Sequence, residues 1–201
     1  MRENITEKLF NYDLSLGVNG LAGIDEAGRG PLAGPVVTAC CMMPMDKMIE
    51  KINDSKKVTE KKREELYELI KQVSNYSITV VGNEQIDEIN ILNAVKKCMT
   101  MAVKTLPIAP QITLVDGVDT GLEINAKYIV KGDQKSYTIG CASILAKVYR
   151  DRLMTEYAKE FSEYGFEKHK GYGTKAHIDK IKEIGPCKLH RRTFIKNFWV
   201  E

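Results

Sequence analysis

The sequence predicts an α/β fold built around a mixed β-sheet, and three observations lead there. Residues 21–25 and 36–43 are apolar and β-rich, and they flank a Gly-rich turn too short to hold a helix, so they pair as a hairpin. Further along, short β-rich segments alternate with long stretches of helical periodicity. The chain has 201 residues, 43% apolar and 28% charged, which suits one globular core and excludes collagen-like, low-complexity or disordered chains.

Residues 4–16 read as a short helix with Ile5, Leu9 and Leu16 on or near one face. After the hairpin, Thr59 is placed to cap a helix running to about Val73, with an apolar stripe of Leu66, Leu69, Ile70 and Val73. Residues 77–81 are β-branched and read as a third strand. A long helix follows from Ile86 to about Leu106. Ile89, Leu92, Val95, Met99 and Val103 share one of its faces, and Pro107 and Pro110 end it. Residues 112–115 form a short buried strand that delivers Asp116 and Gly117. Residues 127–130 form another, followed by Gly132 and Asp133. Ile139 to about Phe161 reads as a second long helix. Beyond Gly165 the pattern loosens into loop and helix rich in basic residues. With no internal repeat and no long Pro/Gly/Ser linker, residues 1–201 read as a single domain: a core over about 20–165 and a basic, substrate-binding segment over about 166–201.

Charge is unevenly spread. Residues 168–196 hold nine Lys/Arg against two Asp/Glu, a balance of +7, which leaves −4 on the rest of a chain whose net charge is +3. A basic segment on a mildly acidic body suits a polyanionic partner, or a solvated surface. The five cysteines (40, 41, 98, 141 and 187) are odd in number and form no CxxC, so reduced thiols are expected rather than a disulfide framework. Cys187 and His190 make a lone CxxH without two further zinc ligands. The longest apolar runs are too short to span a bilayer, and the first residues lack the apolar stretch of a secretory signal. A cytoplasmic protein with no membrane contact is expected.

Four acids stand where solubility does not require them. Asp25 and Glu26 close the first strand, Asp116 closes the strand at 112–115, and Asp133 follows the strand at 127–130. Each lies close to a glycine where a strand gives way to a loop, the usual place for functional groups in α/β folds. If the strands are neighbours, the acids meet. Carboxylates packed so closely repel one another unless a cation sits among them. Oxygen ligands favour two ions of Mg²⁺ or Mn²⁺, which suit phosphoryl transfer: one generates hydroxide and the other stabilises the leaving oxygen. Consecutive strand residues face opposite ways. Asp25 and Glu26 are therefore expected to share a site only if the strand stops or bends there.

Residues 23–35, GIDEAGRGPLAGP, hold four glycines and two prolines. They match neither the GxxxxGK[ST] phosphate loop nor GxGxxG. The segment can serve as a tight turn, or as a backbone surface that closely approaches phosphate or sugar oxygens, with Arg29 as a bidentate phosphate donor.

These residues resemble the opening signature of ribonuclease HII. The match continues through Asp54-Ser55-Lys56-Lys57, Asp116-Gly117, Lys131-Gly132-Asp133, Ala142-Ser143-Ile144-Leu145-Ala146-Lys147-Val148, Lys170-Gly171-Tyr172-Gly173-Thr174 and His190-Arg191-Arg192-Thr193-Phe194, in order from about residue 20 to 195. The resemblance implies a ribonuclease H-like fold with a helical C-terminal extension. It implies cleavage of the RNA strand of RNA–DNA hybrids, and incision 5′ of a single ribonucleotide in duplex DNA, leaving 3′-hydroxyl and 5′-phosphate ends. It places Asp25, Glu26, Asp116 and Asp133 at the family's metal-binding catalytic carboxylates. It places Gly28, Arg29 and Gly30 at the loop that contacts the 2′-hydroxyl and the junction, and Tyr172 at the tyrosine that stacks on the following sugar. Ribonuclease HIII, the near relative, lacks the Gly-Arg-Gly loop and usually carries an extra N-terminal domain. Here the loop is present and only about twenty residues precede the first strand, so HII is expected.

Lys56, Lys170, Arg191 and Arg192 are expected to contact phosphates, with Ser143 as a phosphate or backbone contact. His169, His177 and His190 are expected on the surface or against phosphate. The tail 197–201, carrying Phe198 and Trp199, is expected to pack on the body, with a replication-clamp contact as the other reading. A monomer is the default. Two other functions stay in play. A non-catalytic nucleic-acid binding module explains the basic segment but leaves the four acids without a purpose. A metal-dependent phosphatase or nucleotide hydrolase for small substrates explains the acids but not the basic segment or Tyr172.

Overall fold

Residues 4–199 are described by a computed structural model. Strands β1 (Leu21–Ala27), β2 (Val36–Met42), β3 (Asn75–Val81), β4 (Ile112–Asp116) and β5 (Ala126–Ile129) form one sheet in the order β3-β2-β1-β4-β5. The β1–β2 hairpin is antiparallel, as is β2–β3, while β1–β4 and β4–β5 run parallel. The sheet is therefore mixed, with β1 at its centre.

Helices cover both faces. On one lie α1 (Ile5–Ser15), α2 (Glu60–Val73) and α4 (Tyr137–Glu160); on the other lies α3 (Asn83–Lys104). Strand alternation divides the core between them. Cys41 joins Leu66, Ile70, Cys141 and Leu145 on the α4 side, and its neighbour Cys40 joins Ile86, Val95 and Met99 on the α3 side. All five thiols are free, and only Cys187 is less than fully buried. The first three turns of α4 are buried all round, so no single apolar stripe marks them. Gly23 is what lets α4 lie flat on β1: a Cβ there would stand 2.2 Å from the Thr138 carbonyl carbon. The start of α4 is held by Asp13, whose Oδ2 accepts from the Thr138 amide and hydroxyl at 2.8 and 2.9 Å.

The expected helix over 86–106 starts earlier and is broken. At Asn90 the backbone turns to φ 65°, ψ 164°, and the Asn90 side chain accepts from the Asn93 amide at 3.1 Å, capping the second piece. Helix periodicity runs through the break because the apolar residues on both sides pack on the same sheet face.

The basic segment folds into α5 (Phe166–His169), α6 (Lys175–Ile184) and α7 (Arg192–Ile195) around its own cluster of Tyr164, Phe166, Ile181, Leu189 and Ile195. Phe198 and Trp199 pack against that cluster as expected of the tail, whose residues 200–201 lie outside the described part. Among the described residues no helix is long and apolar enough to cross a membrane.

Candidate active site

Strand β1 does not stop at Asp25. It stays paired with β2 as far as Ala27–Val37, whereas its pairing with β4 ends at Ile24–Val115. The expectation of a strand end is corrected by this asymmetry. The sheet opens on one side only, between β1 and β4, and the opening is the cleft. Asp25, Glu26, Asp116 and Asp133 all line it, together with Gly28, Arg29, Gly30, Ser55, Lys56, Ser143, Lys147 and Tyr172, around a volume of about 410 Å³. A larger cavity of about 480 Å³ lies at the other end of β1. Its one carboxylate, Asp13, is committed to α4.

Local structure sets each acid. Asp25 is buried. Its Oδ1 accepts from the Glu26 amide at 2.7 Å, and the Ser143 hydroxyl on α4 also donates to it. Ser143 is itself 3.0 Å from the Ser55 hydroxyl. Asp116 Oδ1 accepts from the Gly132 amide at 2.5 Å, which pins the turn Gly132–Gln134 carrying Asp133 beside β4. Glu26 Oε1 accepts from Arg29 at 3.2 Å. Burial, then the charges of Glu26 and Asp116, push Asp25 well above the usual carboxylate range. Burial raises Glu26 as well, with Asp116 adding and Arg29 opposing. Asp133 is raised by burial, then by Asp116 and Asp54. Burial and mutual repulsion thus disfavour the charged forms of Asp25, Glu26 and Asp133, a cost that a cation among them would relieve.

The donor chemistry of the cleft is carboxylate and hydroxyl oxygen with no sulfur or imidazole, which fits a hard divalent ion. Among the described residues no three His, Cys, Asp or Glu side chains are drawn tightly enough to grip one ion. Arg29 provides the counter-charge to Glu26 instead.

The Gly-rich connection between β1 and β2 is held by two buried arginines. Arg191 donates to the carbonyls of Gly34, Arg29 and Gly28 at 3.0, 2.9 and 2.6 Å. Arg150 donates to those of Pro35, Lys170 and Ala33 at 2.9, 2.9 and 3.2 Å. Gly28 sits at φ +100°, and a Cβ there would fall 2.2 Å from Arg150 Nε. The amides of Leu32 and Gly34 donate to Gly171 and Leu189, tying the loop to the C-terminal segment.

The sequence profile of the family described as Ribonuclease HII matches residues 22–200. The chain belongs to the ribonuclease HII family. It is 50% identical over 202 residues to the ribonuclease HII of Caldicellulosiruptor saccharolyticus, covering 98% of each chain. The solved ribonuclease H2 of Pyrococcus horikoshii OT3 superposes with a TM-score of 0.72 at 30% identity, over 86% of this chain and 92% of that one. The ribonuclease HII of Archaeoglobus fulgidus, solved in complex with PCNA, superposes with a TM-score of 0.75 at 28% identity, over 90% and 97%. The chain has the ribonuclease H-like fold of these relatives, and it is an endoribonuclease of RNA–DNA hybrids.

Ten of the thirteen residues singled out in the ribonuclease HII motifs meet in the cleft. The other three do not line it. Arg191 is corrected from phosphate contact to loop clamp, because its guanidinium is buried and spent on three carbonyls. Lys170 Nζ is turned to Thr155 Oγ1 and the Glu167 carbonyl. Arg192 is exposed on α7, its amide donating to Asp87. Ser143 is buried against Asp25 and Ser55, so it orients a carboxylate. His177 and His190 are also corrected: both are fully buried and 3.0 Å apart, not on the surface. Lys147 and Ser55 also line the cleft; both stand in the ribonuclease HII motifs, but no role for either follows from sequence alone. Lys147 stands one helical turn after Ser143, a spacing that would have found it.

Proposed function

We propose that this cleft, besides cutting the RNA strand of hybrids, incises duplex DNA on the 5′ side of a single embedded ribonucleotide. The products are a 3′-hydroxyl and a 5′-phosphate. The observation that carries this reading is that the four carboxylates, the Gly28–Gly30 backbone and Tyr172 line one continuous cleft. Asp25, Glu26, Asp116 and Asp133 would hold two divalent ions, Mn²⁺ or Mg²⁺. With them bound, the site has an activated water and a counter-charge for the departing 3′-oxygen.

The remaining roles belong to the chain. Gly28 and Gly30 let the backbone approach the 2′-hydroxyl, the group that separates RNA from DNA. Arg29, exposed at the rim and paired with Glu26, is placed to donate to a backbone phosphate. Tyr172, 44% exposed and next to Gly30, stacks on the sugar after the ribonucleotide. Lys56, exposed and lining the same cleft, contacts phosphate, and the basic segment 166–201 extends the polyanion path. Every one of these residues comes from a single chain, so a monomer suffices.

The test is a DNA duplex with one ribonucleotide, 5′-labelled on that strand, incubated with protein in Mn²⁺ or Mg²⁺ beside EDTA and all-DNA controls. A single metal-dependent cut 5′ of the ribonucleotide is expected. Cleavage of a continuous hybrid without that cut would reject junction reading by Gly28–Gly30 and Tyr172. Tyr172→Ala is expected to slow the lone-ribonucleotide cut, and unchanged kinetics on that substrate would remove Tyr172 from the role.

A further inference from the structure

The two buried rings of His190 and His177 carry a hydrogen-bond chain with one consistent direction. The Cys187 amide donates to His190 Nδ1 at 3.0 Å, and an amide cannot accept. His190 Nδ1 also lies 3.3 Å from the Cys187 carbonyl and 3.2 Å from its thiol, but the closer amide can only donate, so Nδ1 accepts and the proton of the neutral ring sits on Nε2. That nitrogen faces His177 Nε2 at 3.0 Å, so His177 accepts there and carries its own proton on Nδ1. From Nδ1 it donates to the Tyr172 carbonyl oxygen at 2.9 Å. Burial above all keeps both rings neutral, drawing each down to about 4. His177 adds to the effect on His190, and His169, stacked on His177 at 4.3 Å, adds to the effect on His177.

The chain starts beside the Gly-rich loop and ends at Tyr172. Arg191, next to His190, holds the carbonyls of Gly28 and Arg29, and His190 reaches the Tyr172 backbone through His177. Residues 190 and 191 thus grip both recognition elements. The Tyr172 ring is half-exposed, and within its own segment the Tyr172 amide donates to the His169 carbonyl at 2.9 Å while its carbonyl also accepts from the Thr174 amide at 2.8 Å; the His177 donor adds the tie from that carbonyl to His190.

We propose that His177 and His190 are positioning residues that fix Tyr172 relative to the Gly28–Gly30 loop and so set the preference for a lone ribonucleotide. This rests on the junction-reading role of Tyr172 proposed above. A ring displaced by a fraction of an ångström loses the stacking geometry, whereas the carboxylates on β1 and β4 keep theirs.

The test compares kcat and KM on a lone-ribonucleotide duplex and on a continuous RNA–DNA hybrid. His177→Phe keeps the ring and removes the donor. His177→Asn keeps a side-chain N–H near the Nδ1 position. The ratio of kcat/KM, lone ribonucleotide over hybrid, is expected to fall about tenfold in His177→Phe and to recover in His177→Asn. In the wild-type protein, ¹⁵N chemical shifts should place the proton of His177 on Nδ1 and that of His190 on Nε2. An unchanged ratio in His177→Phe, or a loss equal on both substrates, overturns the proposal. So does a wild-type His177 protonated on Nε2, a result that needs no variant to fold. Tyr172→Ala run alongside separates the two claims. If it leaves the ratio unchanged, junction reading fails; if it lowers the ratio and His177→Phe does not, only the positioning role fails.

Discussion

Asp116 is the hinge of the carboxylate group. It faces Asp25 across the opening, and through Oδ1 it holds the Gly132 amide that places Asp133. Asp116→Asn retains an oxygen for that amide while losing charge, so the fold should stand. Turnover is expected to fall by more than about 100-fold, beyond the loss of an outer partner at a metal site, with duplex affinity largely intact. Gel-shift binding and a cleavage time course check this, and near wild-type cleavage would refute it. Arg191 and Arg192 differ more than their shared chemistry suggests. Arg191→Met strands three loop carbonyls and is expected to cost about 3 kcal/mol. That corresponds to a midpoint lower by about 6–12 °C in a protein of this size. Thermal unfolding of both Met variants measures the contrast, since Arg192, exposed on α7, should move stability by less than Arg191 does. Equal losses would mean that the loop clamp contributes nothing.

At the scale of elements, α3 shows how a side chain can stand in for helix continuity. Asn90 leaves helical geometry at positive φ and caps the piece that follows. Asn90→Ala keeps the strained backbone and loses the cap, for an expected cost of about 2 kcal/mol. Asn90→Gly relieves the backbone and should cost only a few tenths of a kcal/mol. Urea denaturation distinguishes them, and a glycine variant as unstable as the alanine would rule out the strain. The strand β1 is the other telling element. Alternation predicts that Asp25 and Glu26 diverge, and a regular strand does keep them on different faces. They share a cleft because pairing with β4 ends at Ile24 while pairing with β2 runs on to Ala27, so the sheet edge itself becomes the site.

Across the whole molecule, the C-terminal segment is joined to the core by buried polar groups as well as by its own apolar cluster. His177 and His190 are held neutral, with values near 4 against 6.5 in the unfolded chain. Between pH 6.5 and 4 the unfolded state therefore binds more protons, and stability rises with pH through that window. Acidification from pH 7 should leave stability unaffected by these rings down to about 6.5, then erode it progressively to about 4, approaching two protons taken up on unfolding. Denaturation midpoints measured from pH 7 to 4 test this, and the slope should shrink in His177→Phe. A slope unchanged by that substitution would assign the pH dependence to other groups.

The sequence by itself determined the hairpin, the later strands, the main helices and the four carboxylates. Each of these is written locally, in period-two or helical patterning and in acids that follow apolar strand residues close to glycine. It also determined the family, through motifs in register. Only the tertiary structure decided what the buried polar residues of the C-terminal segment do. Arg191 reads as a surface group in a basic stretch because its burial depends on a loop some 160 residues earlier in the chain, and His177 and His190 do so because they are buried against each other and Phe166. Asn90 hid inside an unbroken apolar pattern, since the same sheet face covers both halves of α3. Local patterning specifies which face an element buries. Which distant backbone carbonyl waits there for a donor is set only when the segments meet.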